Sequence, residues 1–216
     1  MRRTLKLFCI LLTLTTSNNL AGQTISYLTD DANLTTPLLT VTPCGAGIGS
    51  PCNTPSPNTI FVFPEHQEFS LPSTVTMDAT AYQTLNNQDL TETTLNVGSC
   101  VNSYFLVFNP ADNPRAGSFS TKATIRFSTP VIGFIYSSAL LYQSHATLGA
   151  SGTTYPSSTS LGVNYRPNIG FEYPNQDGIQ FMDEYTLLID MTASYPGDQL
   201  RVLTSCCGCH NESSDE

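Results

Sequence analysis

Apolar and polar residues alternate with a period of two at several places along this chain, and no stretch sustains the three-to-four spacing of an amphipathic helix. From Val75 to Tyr82, Val75, Met77, Ala79 and Ala81 fall on one side, while Thr76, Asp78 and Thr80 fall on the other. That is the signature of a half-buried strand. The pattern recurs where Thr121, Ala123, Ile125 and Phe127 oppose Lys122, Thr124 and Arg126, and where Tyr185, Leu187, Ile189 and Met191 oppose Thr186, Asp190 and Thr192. Each such strand buries one face and wets the other, as antiparallel sheets allow. Three further runs, Thr59 to Phe63, Ser103 to Phe108 and Val131 to Tyr136, are almost continuously apolar or aromatic and predict central strands covered on both sides. Leu200 to Thr204 completes the set.

Turn chemistry punctuates these segments at Asn109 to Pro114, at Thr129-Pro130 and at Tyr195-Pro196-Gly197-Asp198. The last predicts a hairpin joining Tyr185 to Ala193 with Leu200 to Thr204. Many short strands separated by Gly and Pro turns indicate an all-β domain, an antiparallel β-sandwich or jelly-roll-like fold. Two segments stand apart. Thr40 to Asn58 is rich in Pro, Gly and Ser and reads as a cross-linked loop, and Ser137 to Tyr173 reads as a long polar segment with at most one helical turn around Ala139 to Tyr142.

The first residues change the picture from a fold to a compartment. Arg2, Arg3 and Lys6 make a positive start, Leu5 to Leu14 is an almost unbroken apolar run, and the small residues Ala21 and Gly22 follow, which predicts a signal peptide over residues 1–22 and a secreted product. The run is about ten residues long where a membrane span needs roughly 20, and no later stretch approaches that length, so no transmembrane anchor is expected in the mature chain. The β-sandwich is then expected over residues 23–205, with a Cys-rich and then acidic tail over residues 206–216. Without the signal, five basic residues face seventeen acidic ones, a net charge of −12. Such acidity favours solubility and argues against nucleic acid as a partner. Outside Cys9, which lies in the apolar run, six cysteines remain: Cys44, Cys52, Cys100, Cys206, Cys207 and Cys209. An even number in an exported protein predicts disulfides, with Cys44 and Cys52 the favoured pair and the other pairings open.

Three stretches carry a family likeness: Ser103-Tyr104-Phe105-Leu106-Val107-Phe108-Asn109-Pro110, then Ile125-Arg126-Phe127-Ser128-Thr129-Pro130-Val131-Ile132-Gly133, then Gly197-Asp198-Gln199-Leu200-Arg201-Val202-Leu203-Thr204. From about Val101 onward the chain resembles a loose group of secreted bacterial β-sandwich proteins, many of which end in a short Pro-Glu-Pro sorting tail. The present sequence has no such tail. The resemblance implies the β fold and brings no catalytic residues with it.

Candidate chemistry is sparse. Cys206-Cys207-Gly208-Cys209-His210 contains Cys-x-x-Cys-His, the spacing by which two thiols bond a haem while the His supplies an axial ligand, so a c-type haem held by Cys206, Cys209 and His210, or a thiolate zinc site on Cys206, Cys207, Cys209 and His210, is the alternative to a disulfide cluster. Asp112, Glu172, Asp177 and Asp183 are the candidates for a structural calcium ion, provided that their loops meet; the alternative is that each serves its own turn. Tyr155, Tyr165 and Tyr173 lie in the long polar segment as candidate stacking platforms for a glycan, or as loop packing. Asp183 and Glu184 are adjacent and would point to opposite faces of a strand, no G-x-S-x-G motif occurs, and Ser144-His145 and Glu65-His66-Gln67-Glu68 read as isolated, solvated loop residues. No catalytic residue is therefore assigned. The expectation is a non-catalytic, extracellular structural or binding module with a protein or glycan partner and no cofactor. A haem electron carrier and a glycan-binding protein or glycan-directed enzyme stand as rivals.

Overall fold

The computed structural model describes residues 26–28, 40–41, 58–81, 91–108, 110, 117–151, 153, 155, 177–193 and 197–206. In chain order the elements are β1 (Ser26–Leu28), β2 (Thr40–Val41), β3 (Ile60–Ser70), β4 (Val75–Met77), β5 (Ala79–Thr80), β6 (Thr93–Leu95), β7 (Cys100–Phe108), β8 (Phe119–Arg126), β9 (Val131–Ile135), α1 (Ser138–Leu148), β10 (Gly178–Asp183), β11 (Thr186–Ala193) and β12 (Asp198–Ser205). A four-stranded sheet runs β1-β8-β11-β10 and a six-stranded sheet runs β2-β3-β7-β12-β9-β5, with β4 and β6 forming a separate ribbon. All these pairings are antiparallel except β2 with β3. The all-β sandwich expected from the alternation is the fold observed.

The two kinds of hydrophobic pattern sort by sheet. In β8 and β11 alternate residues turn inward, and Ala123, Ile125, Leu187, Ile189 and Met191 meet Ile60, Val62, Tyr104, Leu106, Leu200 and Val202 of the facing sheet in one core. The opposite face of β8 and β11 is polar apart from Leu188 and carries the Lys122–Asp190 ion pair at 2.7 Å. The six-stranded sheet is covered twice. Its outer face buries Phe61, Phe63, Phe105, Val107, Ile135 and Leu203 beneath Leu140, Leu141 and Leu148 of α1 and Val75 and Met77 of β4. A strand wetted on neither face has no use for alternation, hence the near-continuous apolar runs of β3, β7, β9 and β12.

Three expectations are corrected. Val75 to Tyr82 is not one strand, because the chain bends at Asp78, whose side chain is buried and accepts the backbone N–H groups of Tyr136 at 2.7 Å and Ser137 at 2.8 Å. Tyr195 to Asp198 does not close a hairpin, since β11 pairs with β8 and β10 while β12 pairs with β7 and β9. The chain instead passes from one sheet to the other between β11 and β12. Finally, the polar segment after Ser137 opens with a three-turn helix. Ser137 caps α1 by accepting the N–H of Leu140, and the buried positions Leu140, Leu141, Ser144 and Leu148 fall on one face. A buried serine in that stripe hides the helical period from sequence.

One end of the sheet is cross-linked. Cys100 and Cys206 lie opposite each other one step beyond the Val101–Ser205 pair and form a disulfide. Beside it the buried Asn102 side chain donates to Thr204 Oγ1 at 3.1 Å and to Ser205 O at 2.5 Å, and its carbonyl accepts the N–H of Glu68. Glu68 adopts a left-handed φ of 49° where β3 bulges against β7, and this hydrogen bond holds it there.

Candidate functional site

Arg201 lies in the middle of β12, in a row across the outer face of the six-stranded sheet formed by Phe63, Phe105, Arg201 and Ile135. Its side chain is 0% exposed. A guanidinium with no access to water is tolerated only where a carboxylate and further acceptors replace the lost hydration.

Glu65 supplies the carboxylate, and a bulge brings it there. Pro64 and His66 bracket a register shift of β3 against β7, and Pro64 has no N–H to lose to the ladder. The Glu65 side chain is 1% exposed and meets Arg201 in a two-point pair, Nε to Oε2 and Nη2 to Oε1, each at 2.7 Å. Ser103 Oγ donates to Oε2 at 2.5 Å and Tyr155 Oη donates to Oε1 at 2.6 Å. Both carboxylate oxygens thus accept two charge-assisted or hydroxyl hydrogen bonds, close to their full capacity.

The rest of the guanidinium faces α1. Nη1 donates to Ser144 Oγ, which in turn donates to Leu141 O at 2.9 Å, and Nη2 lies 3.2 Å from His145 Nδ1. Arginine only donates, so Nδ1 is the acceptor and the His145 proton sits on Nε2. The His145 ring stacks on Tyr155 with centroids 4.2 Å apart, and Phe105 meets both rings edge-on while lying 5.0 Å from the Arg201 guanidinium carbon. Burial, and then the neighbouring Arg201 charge, pull the His145 pKa down to about 4 against a smaller upward pull from Glu65. Burial and the Glu65 carboxylate hold the Tyr155 phenol well above its ordinary range. At neutral pH the cluster therefore comprises one anion, one cation, a neutral imidazole and a neutral phenol.

The helix end is tied in as well. Tyr155 Oη accepts the N–H of Ala150 at 2.8 Å, and His66 Nε2 donates to Gly149 O at 3.1 Å. A Cβ on Gly149 would stand 2.5 Å from His145 O and 2.9 Å from the Tyr155 ring. Glycine is needed here for close approach rather than for an unusual φ.

Chemically the cluster resembles a fastener more than a reaction centre. Glu65 has no lone pair left for a substrate proton, and the ring nitrogen of His145 that faces the cluster is engaged by Arg201. What the arrangement does is bind α1 and the Tyr155 segment to the sheet.

The other candidates fall apart in space. Asp183, at the exposed end of β10, bonds Arg126 at 3.0 Å and accepts the N–H of Tyr185 at 2.7 Å, which is turn duty. Asp177 is buried just before β10, so the whole strand, about 20 Å at some 3.3 Å per residue, separates it from Asp183. Asp112 and Glu172 lie outside the described residues, and among the described residues no three His, Cys, Asp or Glu side chains gather as a metal site. Tyr155 is half-buried in the cluster rather than displayed as a platform; Tyr165 and Tyr173 lie outside the described residues. So do Cys44, Cys52, Cys207, Cys209 and His210. Cys206, bonded to Cys100, has no thiol to add to a haem vinyl group while that disulfide stands.

Sequence alone reads Glu65, Ser144 and His145 as solvated loop residues, whereas the structure buries the side chains of Glu65 and Ser144 and half-buries His145 against Arg201. The usable signal is Arg201, a single charge inside the apolar strand Leu200 to Thr204, which demands a buried carboxylate somewhere in the chain. No family model matches the chain, and comparisons with curated proteins and with solved structures give no match either.

Proposed function

We propose that the mature chain is a secreted, acidic, non-catalytic β-sandwich acting at a cell surface or in an extracellular matrix as a structural or binding module. The observation that carries this reading is the Glu65–Arg201 cluster. The most chemically loaded place among the described residues directs its hydrogen-bonding capacity inward, to hold a helix on a sheet. The Cys100–Cys206 disulfide supports export, since such bonds persist in oxidising compartments. The resemblance to secreted bacterial β-proteins points the same way.

Intact mass of the protein recovered from outside its cells, before and after reduction, tests the proposal. Loss of residues 1–22, a mass gain on reduction matching paired cysteines, and an absorption spectrum without a Soret band are the expected results. Full-length protein retained inside the cell would overturn the exported reading, and a covalently held haem would replace it with an electron carrier. A glycan partner is tested with Tyr165→Ala and Tyr173→Ala. Tyr155→Ala is unsuitable, because it removes a hydrogen bond from the buried Glu65 and would confuse unfolding with lost binding.

A further inference from the structure

The two ends of α1 are held by different chemistry. At its start Ser137 caps the helix, and the buried Asp78 accepts the backbone N–H groups of Tyr136 and Ser137. Towards its end the ties are side chains gathered around Arg201. Arg201 Nη1 donates to Ser144 Oγ, Arg201 Nη2 donates to His145 Nδ1 at 3.2 Å, and Tyr155 stacks on the His145 ring while accepting the N–H of Ala150. A proton reverses the polarity of one of these contacts. Nδ1 serves Arg201 as an acceptor, so protonating it sets N–H against N–H and places a second cation beside the guanidinium. The groups that face His145 cannot absorb that charge. Glu65 of β3 already accepts two hydrogen bonds on each oxygen, and Tyr155 spends its hydroxyl on Glu65 and Ala150. Phe105 of β7 and Tyr142 of α1 itself meet the imidazole only as rings. His66 of β3 bonds Gly149 O through Nε2, a donor it keeps in either protonation state. Water is the acceptor left to an imidazolium here, and more of it reaches the ring if the helix end lifts.

We propose that α1 is an acid-released flap: protonation of His145 lifts the C-terminal half of the helix and Tyr155 off the six-stranded sheet, pivoting on the anchor at Asp78 and Ser137. Opening uncovers Phe105 and the apolar residues packed with it on the outer face, among them Phe63 and Leu203. Burial, and then the Arg201 charge, hold the docked His145 at about 4. The closed form therefore prevails at neutral pH, and opening grows as pH falls from about 6.5, the value of a solvated imidazole, towards 4. Leu140, Leu141 and Leu148 oppose the lift, so acid raises the population of the open form while the rest of the sandwich stays folded.

Amide hydrogen exchange of the intact chain between pH 7 and pH 4, scaled to the chemical exchange rate at each pH, tests the flap. A group of pKa about 4 when docked and about 6.5 when released raises the opening constant about 100-fold over that range. Protection of the later α1 amides should fall by that factor in the wild type, while β8 and β11 keep theirs. His145→Gln offers Arg201 an acceptor oxygen at every pH and should hold α1 closed, whereas His66→Gln should respond as the wild type does. Equal loss of protection in β8 and β11, an undiminished response in His145→Gln, or a response abolished by His66→Gln would each overturn the proposal. Nitrogen-15 NMR of the imidazoles needs no variant. One of the three histidines should carry its neutral-pH proton on Nε2 and titrate near 4; titration of all three near 6.5 would refute the flap.

Discussion

Substituting Glu65→Gln changes almost no volume and removes one charge, which isolates what the buried ion pair contributes. The new amide still offers an acceptor oxygen, but the fully buried Arg201 loses its counter-charge and one arm of the two-point pair becomes an N–H facing an N–H. Breaking a buried pair from one side costs about 3–5 kcal/mol, because the remaining charge is left uncompensated. In a chain of this size about 1 kcal/mol moves Tm by roughly 2–4 °C, so a fall of about 6–20 °C is expected. The chain contains no Trp, so urea titrations are best followed by far-UV circular dichroism and tyrosine fluorescence under non-reducing conditions.

The same experiment tests whether charge or packing is responsible. Pairing Glu65→Leu with Arg201→Met removes both ions and fills the space with apolar atoms, which often restores stability in buried pairs. Recovery should be partial here, since Ser103, Ser144 and Tyr155 each lose a partner. A double-mutant coupling of about 1–3 kcal/mol is expected. A Glu65→Gln cost below about 1 kcal/mol would refute the reasoning, since that is the worth of a solvated surface pair.

Three further outcomes follow from the same geometry. His145 has its folded pKa depressed to about 4, so the stability it contributes is present above its unfolded value near 6.5 and is lost as pH falls from there towards 4; His145→Gln should lack this acid-side loss in a thermal pH series. Gly149→Ala should lower stability by about the 1–3 kcal/mol of an overpacked core, whereas Gly178→Ala, whose new methyl would find only Asp190 Cβ at 3.7 Å, should be near neutral in the same urea assay. Replacing Cys100 and Cys206 together by Ser opens a loop with a sequence separation of 106 and should cost about 2–5 kcal/mol in the unfolding free energy.

What sequence made legible was whatever depends on one strand and its own two faces. The alternation of Thr121 to Phe127 placed Ala123 and Ile125 in the core, and the unbroken run Ser103 to Phe108 announced a strand covered on both sides. What it hid depends on partners far along the chain. Asp78 carries the residue type of a wet strand face, yet it is buried because Tyr136 and Ser137, 58 and 59 positions later, present it with two N–H groups. Glu65 follows an apolar run and looks like the start of a loop, and only a bulge together with an arginine 136 residues away turns it inward. The helix carries Ser144 and His145 on the side where periodicity asks for apolar residues, because that side docks on a charge.

His145 and Asp198 act together on how stability depends on pH. Asp198, raised to about 8 by burial and then by the neighbouring Asp177 charge from an unfolded value near 4, contributes stability that is complete below about pH 4 and is lost as pH rises through 8. His145 has the opposite sign and acts between about 6.5 and 4. Over that shared window one group gains about what the other gives up, so the two contributions offset each other. Above 6.5 Asp198 acts alone. The wild type should therefore show a plateau on the acidic side and a decline from about 6.5 to 8. Asp198→Asn should convert this into a profile that falls only towards acid, and His145→Gln into one that falls steadily from acid to alkaline. If both variants keep the wild-type shape, neither buried group titrates as its surroundings demand, and the pH dependence must come from the seventeen acidic residues acting as a whole.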